Sequence, residues 1–394
     1  MCNTNKSKID FLYLSEQDML DAGVMDVKRC IDTEAEVMKL LVEGDYLEGG
    51  PNGQSHGIMV SFPKESDIKG FPLNDSPDRR FMAMPAYLGG KFHMMGEKWY
   101  GSNMHNQRNG LPRSILMVML NDVMSGAPKA MMSANVLSAV RTGCMPGLAV
   151  RYLARKDSHV LTSIGAGVIA KTSILAVLSE IPQIEELRIK GSTPTSKTAA
   201  SCKAFIEERF PNLKITISAT LEEAVCGADI ILESVSEVKE EDRPVLEPAW
   251  IKPGCTIISS SCLIVPDEYV AKNVRMVVDN VGMYENYLED RISYLAKHPE
   301  EAEKQRKNPK HALSVGMAFI DMREAGLIKT EDIVSIGKII SGAVPGRTND
   351  DEIFLAGFDG MPVLDVAWGY ECYQNALKQG IGTSLNLWDT PFLA

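Results

Sequence analysis

The stretch SHVLTSIGAGVIAKTSILAVLSEI, residues 158–181, decides the fold. A short apolar run ends in Gly165-Ala166-Gly167-Val168-Ile169-Ala170 and passes into a pattern with helical spacing: strand, glycine turn, helix. In such a turn Gly165 permits the tight bend, Gly167 lets backbone N–H groups approach a pyrophosphate, and Ala170 takes the small third position where helix meets strand. The helix N-terminus then offers N–H donors and partial positive charge to the phosphates. A lone G-x-G-x-x-A also occurs in unrelated loops, so its weight comes from what surrounds it.

Downstream, EELRIKGS (185–192), LKITISA (213–219), ADIILESV (228–235), GCTIISSS (254–261) and NVRMVVDN (273–280) read as short buried strands. Segments with helical spacing, such as KTAASCKAFIEERF (197–210) and LEEAVCGA (221–228), separate them. This alternation calls for a doubly wound α/β fold, a parallel sheet covered on both faces. An acid about 20 residues past the glycines would hold the ribose hydroxyls of NAD. Here that region is Lys190-Gly191-Ser192-Thr193-Pro194-Thr195-Ser196-Lys197, with two lysines, several hydroxyls and no acid. NADP(H) is therefore favoured over NAD(H); the bland alternative is a polar turn into a helix capped by Thr195 or Ser196.

With 394 residues the chain is long enough for two domains, and 45% apolar with 24% charged residues is the composition of a globular protein. A formal charge of −11 gives no general attraction to nucleic acid or anionic lipid. No apolar run approaches the ~18 residues of a membrane span, and MCNTNKSKIDF lacks the apolar h-region expected of a signal peptide. The eight cysteines form no C-x-x-C pair and the six histidines no metal spacing, so a cytoplasmic protein without a metal site is expected.

In chain order, DFLYLS reads as a strand, Ser15 with Asp18 as an N-cap, and Gly44 as the stop of a longer helix. Residues 46–78 form a long excursion rich in Gly, Pro, Asn and Asp. Residues 79–103 suggest strands, and LPRSILMVMLND (111–122) with SGAPKAMMSA (125–134) a hairpin. Residues 136–156 have helical spacing with a break expected near Gly143 to Pro146. A charged helical tract at 283–311, a connector at 331–342, and a strand and helix at 351–382 follow. That last segment is expected to return to the first domain, giving a substrate and dimerisation domain of 1–135 and 318–394 around a nucleotide domain of 136–317.

The chain resembles the ornithine cyclodeaminase/μ-crystallin family, through MPAYLGG (84–90), EKWYGS (97–102), Asn106, GLPR (110–113), SAVRTG (138–143), the GAGVIA turn, WIKPG (250–254) and DVAWGYECY (365–373). Its wording is most similar to the branch of siderophore-pathway dehydrogenases that oxidise a carboxyethyl-glutamate secondary amine. The resemblance implies a Rossmann domain, an α+β substrate domain built from both chain ends, and a homodimer. It also implies that Lys98 and Arg141 grip a substrate carboxylate, a task suited to the two-pronged donor geometry of Arg and the point charge of Lys. Alone, Arg141 reads more readily as a helix-surface arginine and Lys98 as a solvated strand end; only the joint match reverses that. The cofactor contacts it implies are Thr142, Gly165, Ala166, Gly167, Val168, Ile169, Gly191, Ser192, Thr193, Lys197, Ser234 and Val235.

Two departures bear on the chemistry. Where cyclodeaminases place an aspartate after the strand following K-P-G, this chain has Leu263 beside Cys262. The proline–proline–arginine element is replaced by SHGIMVSFPK (55–64), leaving Arg79, Arg80 or His56 as a third cation. The expected activity is therefore NAD(P)-dependent oxidoreduction at the C–N bond of an amino acid, imino acid or opine-like secondary amine. Lys98, Arg141 and Asp279 are the catalytic candidates; Arg80, Lys98, Arg141 and Cys262 are the substrate-binding ones. Ornithine cyclisation, or cofactor binding with little turnover, are the alternatives.

Overall fold

The computed structural model describes residues 7–76, 78–235, 239–307 and 311–393. They form two compact units: the described residues within 7–26, 44–141 and 361–393 make the first; those within 27–43 and 142–360 make the second.

The second unit is the doubly wound fold. Its strands are Val160–Ile164 (β8), Glu186–Lys190 (β9), Lys214–Ile217 (β10), Ile230–Glu233 (β11), Thr256–Ser259 (β12), Val274–Val278 (β13), Ile333–Ser335 (β14) and Ile353–Gly357 (β15). They lie in the order β10-β9-β8-β11-β12-β15-β13-β14, every pair parallel. β11, β12 and β15 are buried along their whole length, as strands covered on both faces must be. Order reverses between β8 and β11, the switch point where such sheets bind ligands at their carboxyl edge. The helices are Val27–Glu43 (α2), Val168–Glu180 (α4), Lys197–Glu207 (α5), Leu221–Val225 (α6), Asp267–Asn273 (α7), Val281–Lys297 (α8), Pro299–Lys307 (α9), Val315–Glu324 (α10) and Ile336–Ile340 (α11).

The first unit holds an antiparallel-rich sheet of Ile9–Leu14 (β1), Tyr46–Glu48 (β2), Ile58–Ser61 (β3), Arg80–Leu88 (β4), Met94–Ser102 (β5), Ser114–Asp122 (β6), Pro128–Ser133 (β7) and Thr383–Trp388 (β16). Its order is β16-β1-β7-β6-β5-β4-β2, with β3 also on β4. The even-numbered residues of β4 to β7 face inward beneath helix Pro362–Gln379 (α12); Gly96 leaves room for Val366, and Gly369 packs on Val118 and Met132. A short helix Glu16–Asp21 (α1) opens with the Ser15/Asp18 capping box, and Gly44 ends α2 at φ 77°.

Four expectations need correction. Asn135–Leu153 (α3) is one continuous helix through Pro146, not a broken pair. Its close packing on α4 outweighs the lost hydrogen bond: a Cβ on Gly143 would lie 2.1 Å from Thr172 Oγ1, and one on Gly147 2.8 Å from the Ala176 Cβ. Residues 331–342 are not a plain connector, because β14 extends the parallel sheet beyond β13. The strand at 353–357 does not return to the first unit; it inserts between β12 and β13, where its all-apolar sequence is covered on both sides. The boundaries shift accordingly: 318–360 and 27–43 belong with the nucleotide-type unit, α2 packing on α4 and α11. No helix among the described residues is long and apolar enough to cross a membrane.

Candidate active site

The first unit buries a compact ionic cluster. Lys98 projects from the inward face of β5, and Arg141 from α3. Between them stands Asp365, four residues into α12 and 0% exposed. Lys98 Nζ donates to Asp365 Oδ2 at 2.8 Å, Arg141 Nε to Oδ1 at 3.0 Å, and Arg141 Nη2 lies 3.0 Å from Oδ2. Lys98 and Arg141 are each 4% exposed. Two cations on one carboxylate leave a positive charge out of water, an arrangement costly unless an anion joins it. Arg141 Nη1, buried, has no hydrogen-bond partner among the described residues. A bound carboxylate would supply one.

The electrostatics follow from this packing. Burial, then the Arg141 charge, pull the Lys98 ammonium down to about 8, against the opposing pull of Asp365. Burial pushes the Asp365 carboxyl up, but Arg141 and Lys98 outweigh it and hold the group below its ordinary value. Lys98 Nζ also lies 3.5 Å from Ser138 Oγ and 5.7 Å from the centre of the Tyr100 ring.

Of the proposed third cations, Arg79 pairs with Asp75 at 2.6 Å and lies over the Phe62 ring. Arg80 pairs with Asp78 at 2.5 Å on the inward face of the sheet, and His56 is half-buried just before β3.

The second unit carries the glycine turn. Gly165 has φ +100°, and a Cβ there would meet the Ser234 carbonyl oxygen at 2.9 Å; only glycine fits. Gly167 is the N-cap of α4 with no side-chain cap and open space around it, while Ala170 is buried. Val168, the first residue of α4, is exposed, and Ile169 lies in the same first turn. Ser234 Oγ is buried beside Gly165 with no partner among the described residues. Uncapped helix donors, free space and an orphaned hydroxyl at the switch point fit a dinucleotide pyrophosphate. At the end of β9, Gly191 packs on Ser196, which caps α5; Ser192, Thr193 and Lys197 are exposed, and Lys190 Nζ donates to the Gly191 carbonyl. Thr142 is half-buried on α3, and Val235 N–H donates to Glu233.

Asp279 directly follows β13, 1% exposed, with its carboxylate accepting from the N–H groups of Asn280 (3.1 Å) and Gly360 (3.0 Å). Burial raises it to about 6. Its near neighbour Asp359, raised to about 7 by burial and the Asp279 charge, accepts from Ser314 Oγ at 2.8 Å. Cys262 is buried after β12, its thiol pushed up by burial. Leu263 is buried too.

Sequence reading missed Asp365, Glu233 and Asp359. Asp365 had a usable signal: a single carboxylate in the otherwise apolar first turns of α12 is a charge that must be paired if buried. Glu233 closes an apolar strand in the same way. It accepts from Ser259 Oγ at 2.6 Å, and burial raises it to about 7.

Residues 24–380 match the Ornithine cyclodeaminase/mu-crystallin family. The chain is 25% identical to an N-((2S)-2-amino-2-carboxyethyl)-L-glutamate dehydrogenase of Staphylococcus aureus over 96% of its own length and 99% of the relative's. It is 29% identical to an alanine dehydrogenase of Archaeoglobus fulgidus, covering 77% and 82%. Among solved structures, the Thermococcus litoralis Delta(1)-pyrroline-2-carboxylate reductase in complex with NADH and L-proline superposes with a TM-score of 0.73 and 25% identity, covering 95% of this chain and 100% of that one. A match that takes in most of both units decides the matter of descent: the chain belongs to the ornithine cyclodeaminase/mu-crystallin family.

Proposed function

We propose that this protein is an NAD(P)-dependent oxidoreductase acting at a C–N bond alpha to a carboxylate, in an amino acid, imino acid or opine-like secondary amine. The observation that carries the reading is the buried Lys98–Asp365–Arg141 cluster with Arg141 Nη1 unpartnered. Arg141, kept in plane by Asp365, receives the substrate carboxylate at its unpartnered Nη1. Lys98, near 8, holds a proton at neutral pH and gives it up readily, so it serves as acid in imine reduction and as base in amine oxidation. The nicotinamide dinucleotide, when bound, supplies or accepts the hydride equivalent. Gly165, Gly167 and the α4 N-terminus carry its phosphates, and Ser234 Oγ adds a donor there. Relatives that reduce pyrroline-2-carboxylate and oxidise alanine support the same reaction class. Buried Leu263, where a carboxylate would orient water, weighs against ornithine cyclisation.

We also favour NADP(H) over NAD(H), since the exposed Ser192, Thr193 and Lys197 offer donors and no acid follows β9. A cytoplasmic homodimer completes the reading. Its support is the outward face of the first unit's sheet, where Phe81, Trp99, Ile115, Met117 and Met119 are 38–50% exposed on adjacent strands. A second copy of this chain would cover such a contiguous apolar patch. The deciding experiment incubates the protein with NADPH or NADH and Delta(1)-pyrroline-2-carboxylate, or pyruvate plus an amino acid, and follows nicotinamide absorbance. Stoichiometric oxidation, reduced at least a hundredfold by Arg141→Met, is expected. Ammonia release from ornithine with no net cofactor change would overturn the reading.

A further inference from the structure

The strands at the switch point of the second unit carry a buried acid that the proposed reaction leaves without a role. β11 reads IILE, three aliphatic residues closed by Glu233, and is buried along its whole length. Glu233, 1% exposed, lies opposite Ile164, the residue before the Gly165 turn, and opposite Ser259 at the end of β12. Its Oε2 accepts from Ser259 Oγ at 2.6 Å and its Oε1 from Val235 N–H at 2.6 Å; the backbone N–H groups of Cys262 and Leu263 donate to it as well. Ser260 N–H donates to the Glu233 carbonyl at 2.9 Å, and Ser261 Oγ to the Val235 carbonyl at 2.6 Å. One carboxylate thus gathers the loops that leave β11 and β12. Among the described residues these partners are all neutral donors, and an aliphatic side chain would fill the position without the cost of burying a charge.

The position gives that charge something to act on. A dinucleotide lies across the crevice where strand order reverses, one mononucleotide on each half of the sheet. The glycine turn and the end of β9 belong to the adenosine half, so the ends of β11 and β12 border the nicotinamide half. The two redox forms of that ring differ by one positive charge, carried by the oxidised form. The flanking strands β8 (VLTSI) and β12 (TIIS) bring no titratable side chain to Glu233. On α4, which packs against β11, Lys171 donates to Ser201 Oγ and Glu180 pairs with Arg151. On the loop after β12 the Cys262 thiol feels both Glu233 and Arg243, and burial keeps it protonated at neutral pH.

We propose that Glu233 places a negative charge on the nicotinamide side of the site and tilts binding toward the oxidised cofactor, whose ring is a cation, over the neutral reduced one. The inference rests on the oxidoreductase reading, since only a bound nicotinamide senses the charge. A site biased in this way favours hydride donation, the direction of imine reduction. Dissociation constants of the oxidised and reduced forms of whichever cofactor binds more tightly, NADP(H) or NAD(H), are measured by calorimetry on the whole protein between about pH 5.5 and 8.5, and the readout is their ratio. At the upper end of that range Glu233→Gln is expected to shift the ratio about tenfold toward the reduced form. In wild type the same shift is expected as the pH is lowered through about 7, where burial places Glu233. Lys98, Asp279 and Asp359 titrate nearby, so Ser259→Ala identifies the group: loss of a donor to the carboxylate moves the pH step upward. Because the readout is a ratio, loss of part of the sample to misfolding does not mimic it. A ratio unmoved by Glu233→Gln, or a pH step unmoved by Ser259→Ala, overturns the inference while leaving the oxidoreductase intact. No binding of any of the four nucleotides removes the oxidoreductase reading and the inference with it.

Discussion

At the scale of single residues, the protonation of Lys98 governs what the site does. A lysine at about 8 is charged at neutral pH, and both carboxylate binding and proton donation need that charge. In the reductive direction kcat/KM is expected to be level below pH 8 and to fall about tenfold per unit above it. Asp365 is the group that keeps this value from dropping further, since its charge raises Lys98. Asp365→Asn should therefore move the limb to lower pH, and should also destabilise the fold by about 3 kcal/mol in denaturant titration, because two buried cations lose their counter-ion. A limb that stays in place in this variant would remove Lys98 as its source. Asp365 also explains why the site was only half legible: Lys98 and Arg141 stood out through the family motifs they sit in, whereas their partner lies 224 residues beyond Arg141 and meets it only after folding.

At the scale of elements, the turn from β8 to α4 is where local sequence and tertiary contact agree most closely. Gly165 is required twice, by its positive φ and by the Ser234 carbonyl pressed against it. Gly165→Ala should cost about 1–3 kcal/mol and weaken NAD(P)H binding at least tenfold, measured by fluorescence titration of the folded variant. Unchanged affinity would mean that the dinucleotide does not use this turn. The α3 helix teaches the opposite lesson. Proline inside a helical pattern predicts a break, yet Gly143 and Gly147 let α3 lie so close to α4 and α2 that the helix runs on through Pro146. Local rules price the proline correctly, but packing against elements distant in sequence supplies the larger energy.

For the whole molecule, buried carboxylates set the pH dependence of stability. Glu233, Asp279 and Asp359 have pKa values of about 7, 6 and 7 in the folded protein, all above their ordinary range. Between roughly pH 4 and 7 the folded state then binds more protons than the unfolded one, so stability falls as pH rises through that window. The protein should be more stable at pH 5 than at pH 8 by at least about 1 kcal/mol, and Glu233→Gln should flatten the difference in thermal or denaturant unfolding. Asp365 does not cancel this trend, because its depressed value places its own loss of stability below the ordinary carboxylate range. The apolar outward face makes a separate prediction. Trp99→Glu, stacked on Phe81 in the middle of that face, should convert a dimer to a monomer in light scattering. A wild-type protein that is already monomeric would contradict the proposed assembly.

The sequence by itself determined the doubly wound class, the glycine turn and the hairpin of β6 and β7, because each is written in spacing or residue type within a few dozen positions; the two cations were legible only through the family resemblance. Only the tertiary structure decided that β15 inserts between β12 and β13, that α2 joins the nucleotide-type unit, and that Asp365 and Asp78 organise the cations. A short apolar strand carries no label for its sheet, and a carboxylate carries none for its partner. Both are chosen by which distant surfaces remain to be covered and which buried charges remain to be neutralised once the chain has closed on itself.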